Sequence, residues 1–233
     1  MRNALRIAWR EIRWEVFGDR GALLRMGIFA VLPILFVVSN RGARISDAAL
    51  FTLALQSALF PALSGVALIS STFTSEKENG TIIPLLASPV RDMDIVVGKL
   101  LGMIGPVLSL CVGSVALYYV LAGAQYGATR VRLALPPEIL FALVVTALLY
   151  LLTVGSWVLI VAAMVKSTRA GQQIAGLLIG ISVAVFAGLG LFASQVGDGW
   201  ALVVLGVALL LSDIVALEIA RRVWRREEVL ARI

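Results

Sequence analysis

Six stretches of this chain are each long and apolar enough to cross a lipid bilayer, and this limits the possible folds more than any other feature. In hydrocarbon no water is present to satisfy backbone N–H and C=O groups, so a crossing segment must be a helix or part of a closed barrel. The alternating pattern of a barrel strand is missing. About 20 apolar residues cross a ~30 Å core as a helix. The runs lie at 21–39, 48–72, 98–121, 138–165, 171–193 and 200–220. The expected fold is an all-α membrane protein, a single transmembrane domain over residues 1–233 with six transmembrane helices. Arg25 and Pro33 interrupt the first run, but Arg25 is close enough to its end to snorkel to the interface. A basic segment before an apolar one resembles a secretion signal. However, Val37-Val38-Ser39-Asn40 offers no small-x-small cleavage site, so the first run is expected to stay as a span.

Composition agrees. Apolar residues make up 60% of the chain, against roughly 45–50% in soluble domains. There is no histidine, which removes Ser-His-Asp and Cys-His relays and the commonest zinc ligand. Cys111 is alone in an apolar run, with no internal disulfide or thiolate cluster open to it, and reads as a small buried residue. No catalytic residue, metal ligand or cofactor site is expected, and the chain is not read as an enzyme. The net charge of +6 comes from basic residues flanking apolar runs, which points to lipid headgroups and not to nucleic acid.

Those basic residues also set the orientation. With both termini on one side, that side holds sixteen Lys and Arg, from Arg2 through Lys77, Lys99 and Arg169 to Arg232. The other holds only Arg41, Arg44, Arg130 and Arg132. The positive-inside rule then makes both termini cytoplasmic. Leu5, Trp9, Ile12 and Val16 recur on one helical face, with Arg6, Arg10 and Arg13 largely off it. Residues 1–20 are therefore expected to form an amphipathic interfacial helix. The external loops at 40–47 and 122–137 have room for a turn or a short helix each, and Gln195–Gly199 for a tight turn.

Between the second and third runs comes a charged, punctuated insert, Glu76-Lys77-Glu78-Asn79-Gly80-Thr81-Ile82-Ile83-Pro84-Leu85-Leu86-Ala87-Ser88-Pro89. Ser75-x-x-Glu78 has capping-box spacing, and Gly80 can reverse the chain. Thr81 can cap a short new helix, with Pro84 in its first turn and Pro89 ending it. Ile82, Ile83, Leu85 and Leu86 would make that helix greasy. The expectation is a short cytoplasmic helix lying along the membrane at 75–90 and offering a groove-binding face to a partner.

This insert resembles the coupling-helix segment in membrane subunits of type 2 ATP-binding-cassette exporters. The acidic-basic-acidic triplet is Glu76-Lys77-Glu78, the turn is Gly80-Thr81-Ile82, and the end is Leu85-Leu86-Ala87-Ser88-Pro89. Gly98-Lys99 at the start of the third run and the six-span layout are also similar. The chain departs from the family at Ile83, where an acidic residue is frequent, and at 195–199, where little room is left for external re-entrant helices. The resemblance implies a permease subunit in a bacterial cytoplasmic membrane. It would form a homodimer or heterodimer with a second permease and pair with ABC ATPase subunits, two in the full assembly. ATP and magnesium would sit on that partner, since this chain has no Gly-x-x-x-x-Gly-Lys-Ser/Thr loop. Glu76, Lys77, Glu78, Gly80, Thr81, Ile82, Leu85, Leu86 and Pro89 would receive the motion of the ATPase, and substrate would move outward. The haem-exporter membrane subunit of cytochrome maturation is similar in length and layout. An ATP-independent secondary transporter or channel stays open as a second class, and a membrane-embedded enzyme or a recruiting scaffold are further ones. The cargo could be peptide, drug, lipid, glycan, ion or haem.

Several polar or small residues fall within the runs. Asp213 lies inside the last one, and an intramembrane carboxylate is a functional candidate by default; Lys99 and Arg169 are nominal partners. Gln56, Ser57, Ser64, Tyr118, Tyr119, Thr153, Ser156 and Trp157 could line a path or act as interhelical glue. Gly176 and Gly180, a small-xxx-small pair, could pack within one subunit or form a dimer face.

Overall fold

The computed structural model describes residues 2–13, 20–39, 45–78, 92–164, 173–174, 176–177, 180–185, 188, 192 and 197–223. These residues are helical apart from short connections, and none is in a strand. The helices with defined bounds are α1 (Arg2–Glu11), α2 (Arg20–Ser39), α3 (Asp47–Glu78), α4 (Asp92–Tyr126), α5 (Ala128–Ala134), α6 (Pro137–Met164) and α7 (Asp198–Val223). Among the described residues, four segments are long and apolar enough to cross a membrane: Asp47–Gly65, Val97–Tyr126, Pro137–Val158 and Gly199–Ile219. The first expected span is a full helix, α2 (Arg20–Ser39), and Met26–Ser39 within it is an apolar helical stretch. The fifth run is helical at each of its described positions, such as 180–185. About half of its course lies outside the described residues.

α3 is the central helix. Ser46 caps it, accepting the Ala49 N–H on Oγ at 3.2 Å and the Leu50 N–H on its carbonyl at 3.0 Å. Asp47 in the first turn complements the helix dipole. Leu50, Phe51, Leu55, Leu59 and Leu63 are fully buried along it. It packs against α2, α4 and α6, and α7 packs chiefly on α6. Where α3, α4 and α6 converge, Gly65 permits a close approach: a Cβ there would stand 3.2 Å from a Val107 methyl and 3.3 Å from a Leu151 methyl.

Prolines sit inside α2, α3 and α4 at Pro33, Pro61 and Pro106, each removing a backbone donor. Hydroxyls take up neighbouring carbonyls. Ser114 of α4 donates to the Ala30 carbonyl of α2 at 2.9 Å, within one turn of Pro33. Ser64 and Ser109 donate back to the carbonyls of Pro61 and Pro106.

α1 packs against α4 with Ala8 buried, while Leu5 and Trp9 face outward. α1 covers only the first part of the helix expected over 1–20. At the opposite end of α4, Gly127 takes a positive φ and turns the chain into α5. Arg130 on α5 then reaches Asp47 at 2.9 Å and the Ile45 carbonyl, joining α5 to the start of α3. Gly197, also at positive φ, makes the turn into α7.

Candidate functional site

Three places carry the residues singled out from the sequence. The first is the connection between α3 and α4. Glu76, Lys77 and Glu78 form the last residues of α3. Ser75 and Glu78 therefore do not cap a new helix; the capping-box reading fails because the helix arriving from the core does not stop before them. Gly80, Thr81, Ile82, Leu85, Leu86 and Pro89 lie outside the described residues. The two helices on either side overshoot their apolar spans. α3 has 32 residues and α4 has 35, which at 1.5 Å per residue is about 48 and 52 Å, against a hydrocarbon core of ~30 Å.

The second place is a cavity of about 620 Å³ at the Arg130 end of the bundle. Phe36 of α2 and Ala49, Thr52, Leu53 and Gln56 of α3 line it, with Ile45 and Ser46 at its rim. Thr52 donates its proton to the Ala48 carbonyl at 2.8 Å. Gln56 is half-buried and contributes its amide to the wall. Ser57 and Ser64, grouped with Gln56 by sequence, face the core instead and donate to the Leu53 and Pro61 carbonyls of their own helix. They line no path.

The third place is around Asp213. A notch of about 200 Å³ lies between α4, α6 and α7, walled by Val97, Leu100, Leu101, Ile104, Leu152, Ser156, Asp213 and Leu217. Oδ1 of Asp213 is buried and has no hydrogen-bond partner. The Thr153 hydroxyl lies beside the carboxyl and also within reach of the Leu149 carbonyl at 2.9 Å and the Leu209 carbonyl at 3.4 Å. Trp157 donates from Nε1 to Ser212 Oγ at 3.0 Å, fixing α7 against α6 beside the notch. The nominal pairing of Asp213 with Lys99 does not form. Val97, Leu100, Leu101 and Ile104 share one face of α4, and Lys99 points about 160° round the helix from it. Lys99 is buried at 3% exposure and engaged elsewhere. Arg169 lies outside the described residues.

The glycine pair behaves differently from Gly65. A Cβ at Gly176 or Gly180 would meet nothing within 4 Å, and both positions are exposed on the single chain. Tyr118, which donates to the Leu50 carbonyl of α3, and Trp157, which donates to Ser212 of α7, hold helices together, and Cys111 is buried as expected. Gly65, the close-packed glycine, was missed in the sequence because its contacts come from helices about 40 and 90 residues away. Among the described residues no group of three His, Cys, Asp or Glu side chains could hold a metal ion.

Comparison with known proteins gives one family match. The model described as "ABC-2 type transporter" covers residues 4–202, which takes in α1 through the start of α7 and the whole α3–α4 connection. No curated protein matches the chain.

Proposed function

The chain belongs to the ABC-2 type transporter family, and on that premise we propose that it is the permease subunit of an ATP-driven exporter, coupled to its motor through residues 75–90. It is a multi-pass membrane protein, and membership of this family implies an ABC ATPase as partner. The finer reading is that two permease copies sit on two ATPase subunits in a bacterial cytoplasmic membrane, with both chain termini on the ATPase side. ATP and magnesium belong to the partner. Closure of the ATPases would press on the segment containing Glu76, Lys77, Glu78, Gly80, Thr81, Ile82, Leu85, Leu86 and Pro89.

The observation that carries this reading is how the segment is attached. It joins two helices that each run from beyond the apolar span into the core, α3 to Leu50 and α4 to Tyr118. α3 is the most enclosed of the spans, so displacing its end shifts α2, α4 and α6 together. Tightly packed interiors transmit such shifts and do not absorb them. Gln56 and the cavity at the far end of α3 supply a polar wall on which cargo could rest. The deciding experiment is flux from reconstituted vesicles, with and without an ABC ATPase partner. Transport that needs both the ATPase and ATP is expected; equal flux without the ATPase would favour a secondary transporter and overturn the assignment.

A further inference from the structure

We propose that the notch between α4, α6 and α7 binds a hydrophobic ammonium ion, with the positive nitrogen on Asp213 and the hydrocarbon against Leu100, Leu101, Ile104 and Leu217. The wall is apolar apart from the Asp213 carboxyl and the buried Ser156 hydroxyl. A carboxylate oxygen buried without a hydrogen bond in such surroundings is costly. Among the described residues no cation compensates it: Lys99 lies on the far face of α4, outside the lining of the notch. A metal ion needs several oxygen ligands, and among the described residues no acidic cluster supplies them. An organic cation needs one carboxylate and an apolar wall, and the notch has both.

The shape also fits entry from the bilayer. Leu100, Ile104 and Ser156 form a buried floor, while Val97, Leu101 and Leu217 form an exposed lip. The notch lies toward the ends of α4 and α7 nearest Asp92 and Val223, which the charge pattern puts in the cytoplasmic leaflet. An amphiphilic amine dissolved there would reach Asp213 without crossing water. A volume of about 200 Å³, with ~30 Å³ as the share of one water in the liquid, accommodates a chain of about half a dozen heavy atoms. As a substrate site, the notch rests on the permease reading; as a binding site, it does not.

The test uses the full chain in lipid vesicles and a hexylammonium probe carrying a photoactivatable diazirine, with the matching alcohol as competitor. Saturable labelling of α4 and α7 peptides is expected, resisting the alcohol. Asp213→Asn should weaken it about tenfold or more, while Asp213→Glu stays within a few-fold. Leu101→Trp, which fills the lip and leaves the carboxyl in place, should abolish labelling. Equal labelling of wild type and Asp213→Asn, or equal competition by the alcohol, would overturn the site. Adding the ATPase separates the two claims. ATP-driven flux of another cargo without amine binding removes the site and keeps the permease; amine binding without ATP-driven amine efflux keeps the site and removes amines as cargo.

Discussion

The hydroxyl of Tyr118 on α4 donates to the carbonyl of Leu50 in the first turn of α3 across 2.7 Å, and both residues are fully buried. This bond ties the far end of α4 to the helix that α2, α4 and α6 enclose. Tyr118→Phe keeps the ring and removes the bond. In a membrane such a bond contributes on average about 0.6 kcal/mol, so a loss of about 0.5–1.5 kcal/mol is expected. Denaturant unfolding from mixed micelles measures it. A loss well above that range would mean that Tyr118 does more than link these two helices.

Gly65 makes the opposite kind of contact, since a methyl group added there would press on Val107 and Leu151. Gly65→Ala should destabilise by about 1–3 kcal/mol through overpacking. Val107→Ala in the same chain should restore part of that, because it removes the nearer methyl groups. The double-mutant cycle reads the coupling directly. Additive losses would show that Gly65 is not constrained by packing.

Gly176→Leu and Gly180→Leu add side chains where the single chain leaves open space. The stability of the isolated subunit should change by less than about 0.5 kcal/mol, as for other exposed positions. If the pair forms the face between two permeases, energy transfer between labelled copies in vesicles should fall to background. Unchanged transfer would place the dimer contact elsewhere.

Within the α3–α4 connection, Gly80→Val and a Leu85→Asp, Leu86→Asp double change should leave insertion and folding intact and abolish ATP-driven transport. The first blocks the chain reversal; the second puts charge on the surface expected to enter an ATPase groove. Co-purification of the ATPase separates loss of docking from loss of transmission. Normal transport by these variants would end the coupling assignment.

Orientation can be tested at α5. Leu133 is 80% exposed and shares this short helix with Arg130 and Arg132, on the side with few basic residues. Leu133→Cys, in a chain whose buried Cys111 is changed to Ala, should react with a membrane-impermeant maleimide applied from outside intact cells. Protection until the cells are opened would reverse the topology.

Much of the architecture was legible along the chain. α3, α4, α6 and α7 lie where the apolar runs predict them, because in lipid each backbone must satisfy its own hydrogen bonds locally. The candidate site was legible only in part. Ser57, Ser64 and Gln56 look alike in sequence, yet two of them face the core and one faces a cavity. Lys99 suits Asp213 by charge and depth but points away from it.

By itself the sequence determined that this chain crosses a membrane as helices, where those helices run, and which insert resembles a docking segment. These properties are set within a span or its flanks, by hydropathy, charge and caps. Only the tertiary structure decided that Gly65 and not Gly176 is close-packed, that Trp157 bonds Ser212, and that Asp213 meets an apolar notch without a cation. The reason is rotational: hydropathy says that a helix is in lipid but not which side faces its neighbours, and that angle is set by side chains from helices distant in sequence.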